Sequence, residues 1–171
     1  GFIIDKLKFI LKSQSISVDI IDSVLTLKNI NNMPFQIIIK RIDNLNTTKG
    51  NKSFQTFLIN FKRLNNILKN VQILEKSNSK IEATLFEETL EKNLYKKFRI
   101  LINKIDDYEM NLKSQKILLK YLIDLQKPIN LYLENIKVNH EDMSVKNNRL
   151  IFLKLLHRNI TRFSNFNLIE N

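Results

Sequence analysis

The 171 residues contain no cysteine, which removes disulfides, thiolate metal sites and cysteine nucleophiles from consideration. Only two glycines and two prolines occur, too few for a Gly-rich phosphate loop, a nucleophile elbow, a collagen repeat or a Pro-rich linker. The longest unbroken apolar run, Leu150–Ile151–Phe152–Leu153, falls far short of the ~20 residues that span a bilayer. Near the start, Lys6 and Lys8 interrupt the one stretch that a leader's apolar region could occupy. The first residue is Gly1 rather than Met, which reads as a domain excised from a longer chain.

What the chain does have is isoleucine, leucine, lysine and asparagine, 25, 25, 22 and 23 of them, more than half of all residues. With 43% apolar residues, a domain of this size folds around a core and buries roughly 70% of the surface that its unfolded chain exposes. The charge is one-sided: 28 Lys+Arg against 17 Asp+Glu, a net +11. Residues 1–80 carry net +8 and residues 81–171 only +3. A field of this sign concentrates polyanions, of which phosphate backbones are the commonest. No membrane anchor accompanies it.

Apolar spacing is helical nearly throughout. Ile3, Ile4, Leu7, Ile10 and Leu11 trace one face of a first helix. Ser17 is placed to cap a second over about 18–28, burying Val18, Ile21, Val24 and Leu25. Pro34 opens a third through Ile38, Ile42 and Leu45, with a loop expected from Asn44 to Lys52. A fourth, about 53–69, buries Phe54, Phe57, Leu58, Phe61, Leu64 and Leu68. The Lys76–Lys80 stretch reads as a flexible connection, and Thr84 with Glu87 as a capping box opening a long fifth helix. Ser114 opens a sixth, Pro128 a seventh, and the last runs over about 145–163. Strand-type alternation is essentially absent, so the pattern specifies an all-α bundle of about eight helices in one domain, 1–171.

Catalytic equipment is sparse. His140 and His157 have no cysteine or paired acid at ligand spacing. Asp106, Asp107 and Glu109 read as a solvated helix face. The expectation is a domain with no catalytic residues, no metal site and no cofactor of its own.

The basic residues say more. Advancing 100° per residue along the fourth helix puts Lys62, Asn66 and Lys69 on one flank and Arg63 directly opposite the apolar stripe. Such a row can meet successive phosphates, and Arg and Asn can also pair with base edges. On the fifth helix Lys92, Lys96 and Arg99 share a row with Glu88, which reads as an outer face supported by ion pairs. Arg149 falls inside the buried arc of the last helix and therefore needs a carboxylate or several carbonyls. Asn65 intrudes on the fourth helix's stripe and reads as a satisfied inter-helix polar group.

Four segments resemble a known family. Phe61–Lys62–Arg63–Leu64–Asn65–Asn66–Ile67 is similar to the "FKR-hydrophobic-x-NI" segment of the bacterial glycyl-tRNA synthetase β subunit. Asp142, Val145–Lys146–Asn147–Asn148–Arg149–Leu150, Leu153 and Leu156 resemble its "D-x-x-V-R-x-N-R-L-x-x-L-x-x-L". Phe2–Ile3–Ile4–Asp5–Lys6–Leu7 and Asp19–Ile20–Ile21–Asp22–Ser23–Val24–Leu25 resemble its "F-x-x-D-R-L" and "D-x-x-D-A-V-L". The four lie in order along the chain. Lys6 and Lys146 stand where the family usually has Arg, which keeps charge but loses the bidentate fork. Ser164–Asn165–Phe166 stands where it usually reads Ala-Asp-Phe.

The resemblance implies a C-terminal helical anticodon-binding domain of the DALR type, part of a β chain that works with an α chain in a heterotetramer. It implies glycine tRNA as partner, ATP and Mg²⁺ used by the α subunit, and a bacterial cytoplasmic or plastid setting. The residues expected to contact RNA are Lys40, Arg41, Lys52, Lys62, Arg63, Asn66 and Lys69, with Asn148 and Arg149 either structural or RNA-binding. Three other readings stay open: a helical subunit-assembly module, a membrane-peripheral helical domain, and the DALR domain of another synthetase such as the arginyl enzyme.

Overall fold

The structure is a computed structural model that describes residues 1–69, Val71 and 80–171; the Lys76–Ser79 part of the expected connection lies outside the described residues. Among them are eight α-helices and no strand: α1 (Phe2–Ser13), α2 (Val18–Leu25), α3 (Phe35–Thr48), α4 (Lys52–Lys69), α5 (Thr89–Tyr108), α6 (Gln115–Asp124), α7 (Gln126–Asn135) and α8 (Met143–Thr161). The all-α bundle implied by the 3.6-residue period is what forms.

Helix α4 is the hub. It packs on α6, α7, α8 and the 3₁₀ turn Phe166–Leu168. Its spacing of Phe54, Phe57 and Phe61 puts three rings on one side, where Phe166 meets Phe57 edge-on at 5.0 Å and Phe61 at 5.7 Å. A second aromatic knot joins α5, α7 and α8 through Phe152, which sits 5.4–6.1 Å from Phe86, Phe98, Tyr95 and Tyr132. Rings in offset or edge-to-face contact add about 0.5–1.5 kcal/mol per pair beyond their burial. One apolar core runs from Leu7 to Ile169.

Several boundaries differ from the sequence pattern for identifiable reasons. Helix α3 continues to Thr48, because Asn44 and Leu45 face the core and the Thr47 hydroxyl donates back to the Asp43 and Asn44 carbonyls. The expected loop shrinks to residues 49–51, and Asn51 caps α4 by accepting from the Ser53 and Phe54 N–H groups. Helix α5 starts four residues later than Thr84–Glu87 implies. Its opening carboxylate is Glu91, which accepts from the Glu87 N–H at 3.1 Å and the Glu88 N–H at 2.9 Å. Helix α7 begins two residues before Pro128, at Gln126.

The first helix is the clearest departure. Only Leu7 and Leu11 are buried; Phe2 is 82% exposed, and Ile3, Phe9 and Ile10 are exposed with it. Val18, expected in the core, is exposed as well, while Ile20 takes an interior place beside Ile21 and Val24.

Candidate nucleic-acid interface

Helix α4 sends Phe54, Phe57 and Phe61 inward and leaves Ile59, Arg63 and Asn66 exposed, with Lys62 and Ile67 half-buried beside them. Together with Asn171 they line an open groove of about 470 Å³. The Lys62 ammonium donates to the Ile169 carbonyl and to Asn171 Oδ1, both at 2.7 Å. These acceptors are neutral, so its positive charge remains on the groove wall. Arg63 Nη2 donates to the Leu133 carbonyl at 3.2 Å, at the C-terminal end of α7, and the residue as a whole is exposed. Asn66 and Lys69 are exposed one and two turns further along the same side. Four of the expected contacts therefore share one helix face.

The other expected contacts do not join them. Lys52 is exposed at the start of α4, about 15 Å along the axis from Lys62 at 1.5 Å per residue. Lys40 is exposed on α3, a helix that packs on α2 and α6.

Arg41 is corrected outright. It is 0% exposed, and its guanidinium donates to Gln115 Oε1 (2.8 Å) and to the carbonyls of Arg162 (2.9 Å), Phe163 (3.0 Å) and Glu109 (3.0 Å). Its carbon Cζ lies 4.9 Å from the Phe163 ring centroid. Burial draws its pKa down to about 10, still far above neutrality; four of its five N–H donors are engaged inside the fold and none of its surface is exposed, so it cannot reach a phosphate. Arg41 knits α3 to the end of α8 and the entry to α6.

Two further cations of the amino-terminal half are neutralised locally. Lys8 pairs with Asp22, and Lys49 with Asp19 at 2.6 Å. Burial pushes the Asp19 carboxyl up, but bonds from Lys49, Ser17 and the Glu170 and Ile20 N–H groups outweigh it and hold the pKa at about 2. Of the amino-terminal cations expected to contact RNA, Lys62, Arg63 and Lys69 are the ones that share a helix face.

Asn148 and Arg149 are structural. Asn148 accepts from the Glu82 N–H (2.8 Å) and donates to the Glu82 carbonyl (3.0 Å). Arg149 grips buried Glu91 through two bonds and donates to the Lys137 carbonyl, which is the carboxylate partner its position in the buried arc demanded. Asn65 Oδ1 meets His157 Nε2 at 3.1 Å between α4 and α8, again an inter-helix contact. Asp106 and Asp107 are exposed, as expected, whereas Glu109 is largely covered; Arg162 bonds to both Asp106 and Glu109.

Lys92, Lys96 and Arg99 lie exposed on the outside of α5, as the spacing implied. No ion pair from Glu88 supports them among the described residues; Lys92 reaches only the Glu87 carbonyl, at 3.4 Å. Sequence reasoning missed a cluster between α5 and α6, where Lys104 Nζ stands 5.2 Å from the Tyr108 centroid and 5.1 Å from that of Tyr121. The Lys104–Tyr108 spacing on one helix was legible, but the third member arrives from another helix.

Comparison with known proteins agrees with this architecture. The DALR anticodon binding domain family matches residues 57–163, from the inner face of α4 to the end of α8. The chain is similar to the glycine–tRNA ligase beta subunit of Buchnera aphidicola subsp. Schizaphis graminum, 29% identical over 166 residues, covering 96% of this chain and 23% of that protein. It is likewise similar to those of Sulfurihydrogenibium sp., 30% identical over 95% of this chain and 23% of that protein, and Thermodesulfovibrio yellowstonii, 29% identical over 91% and 22%. The chain thus spans less than a quarter of the length of these curated relatives.

Proposed function

Because this chain belongs to the DALR anticodon binding domain family, we propose that the outer face of α4 docks the anticodon arm of a transfer RNA, and that the tRNA is a glycine tRNA. The observation that carries the reading is the segregation of cations. Arg41, Arg149 and Arg162 are spent on interior or interhelical bonds, whereas Lys62, Arg63 and Lys69, with Asn66, share one groove-bearing face. Phosphates fix the register of such a contact, and bases unstacked in the loop offer their edges to Arg63 and Asn66. The relatives' names supply the choice of glycine.

On this reading the domain is one part of a longer β chain that assembles with an α chain into a heterotetrameric glycine–tRNA ligase. It contributes tRNA binding in the bacterial cytoplasm or a plastid, while ATP and Mg²⁺ act on the α subunit. The experiment that tests it is a salt titration of tRNA affinity. The log of the binding constant should fall linearly with log salt, with a slope of about −0.7 or steeper for each phosphate neutralised. Affinity indifferent to salt contradicts the reading.

A second reading, the assembly module, has one observation in its favour: the exposed Phe2, Ile3, Phe9 and Ile10 of α1. Under it that face packs on the remainder of the longer chain, which accounts for over three quarters of the relatives' length.

A further inference from the structure

The seam between α5 and α6 carries chemistry that the α4 face lacks. Lys104 Nζ lies between two tyrosine rings, 5.2 Å from the centroid of Tyr108 and 5.1 Å from that of Tyr121, and 3.4 Å from the Tyr108 hydroxyl. A cation this close to a ring face is attracted to its quadrupole, so the three side chains hold one another in place at the surface. Tyr121 keeps 36% of its surface exposed, and the neighbouring Ile100 and Ile117 are exposed too. Tyr108 is half-buried against the core, whereas Tyr121, Ile100 and Ile117 face water, so the open ring of the cluster is that of Tyr121.

The surrounding charge is positive on balance. Lys97 lies two turns before Lys104 on the same side of α5, and Lys116 and Lys120 are exposed on α6, against exposed Asp107 and Asp124. An aromatic surface ringed by cations matches a ligand that combines a flat π-system with negative charge. A nucleotide of single-stranded RNA is such a ligand, whereas in a paired helix the base faces are hidden. A protein partner would call for less charge at the centre of the contact.

We propose that the Lys104–Tyr108–Tyr121 cluster is a stacking platform for an unpaired RNA base, with Lys104 and Lys97 holding the adjoining phosphates. The proposal rests on the tRNA reading and deepens it: the α4 face meets backbone and base edges, and the α5–α6 seam takes the flat face of a base.

The test compares two RNAs of equal phosphate count, a hairpin with an unpaired loop and a fully paired duplex, on the whole protein that carries this domain. Tyr121→Ala should weaken hairpin binding about 5- to 150-fold, the range for losing one stacked base, and leave duplex binding within about twofold. Tyr121→Phe, which keeps the ring, should retain hairpin affinity. Hairpin affinity unchanged in Tyr121→Ala, or equal losses for both RNAs, overturns the platform. Arg63→Glu should weaken both RNAs whichever way the tyrosine result falls. Failure of the unsubstituted protein to bind either RNA would overturn the tRNA reading itself, and the platform with it.

Discussion

Arg149 and Glu91 face each other across the start of α5 with two parallel bonds, Nε to Oε1 at 2.6 Å and Nη2 to Oε2 at 3.0 Å, and neither side chain reaches solvent. The same carboxylate also accepts the Glu87 and Glu88 N–H groups. One glutamate therefore both opens α5 and anchors α8. Burial pushes the Glu91 pKa up, but the Arg149 bonds and the two backbone donors prevail and hold it below the ordinary 4.5. The pair adds most through what its loss would expose, since a buried ion pair replaced as a unit is often nearly neutral.

Removing one partner alone should therefore be severe. Arg149→Ala or Glu91→Ala should each cost about 3–5 kcal/mol by denaturant unfolding, the range for stranding one buried charge. Joint replacement by Met and Leu should cost less than the sum. Single variants within about 1 kcal/mol of the parent would show that water relieves the stranded charge.

Arg41 separates fold from binding. Arg41→Met strands three carbonyls and the Gln115 amide oxygen, each costing about 1–3 kcal/mol. The melting temperature should drop by at least several degrees, while tRNA affinity at a temperature where the variant is fully folded stays within about twofold. Lost affinity in a fully folded variant would return Arg41 to the interface.

His157 supplies a pH signature. Its ring stacks on Phe61 at 4.9 Å and bonds to Asn65, and burial holds its pKa below the ordinary 6.5. The neutral ring belongs to the folded state, and the unfolded chain takes up the proton first. The contribution is therefore complete above pH 6.5 and declines as pH falls below it. A melt series from neutrality to pH 5 should slope downward, and His157→Phe should flatten it. An unchanged slope in the variant would place the titration elsewhere.

The helices were legible because a 3.6-residue apolar period is written into every one, and α4 was read to within a residue. Arg149's burial was legible too, since it falls within the apolar arc of α8. Arg41 carries the same signal, three residues after Ile38 and four before Leu45 and so inside the apolar arc of α3; what chain order hides is its four acceptors, which come from residues 68 to 122 positions away. The α1 face misled in the other direction, because apolar period says which side can be covered and not what covers it. Net charge had the same blind spot: it counts Lys8 and Lys49 without seeing that Asp22 and Asp19 sit against them.

The most direct test of the account is the tRNA affinity of a doubly charge-reversed α4 face, Arg63→Glu with Lys69→Glu, measured beside its thermal melt. Both groups are exposed, and Arg63 gives up a single bond to a helix-end carbonyl, so stability should change by no more than about 1 kcal/mol. Affinity at low salt should fall at least tenfold and the salt slope should flatten by about one to two phosphate contacts. Affinity and slope equal to those of the parent, with the fold intact, would contradict the assignment of α4 as the RNA-docking face.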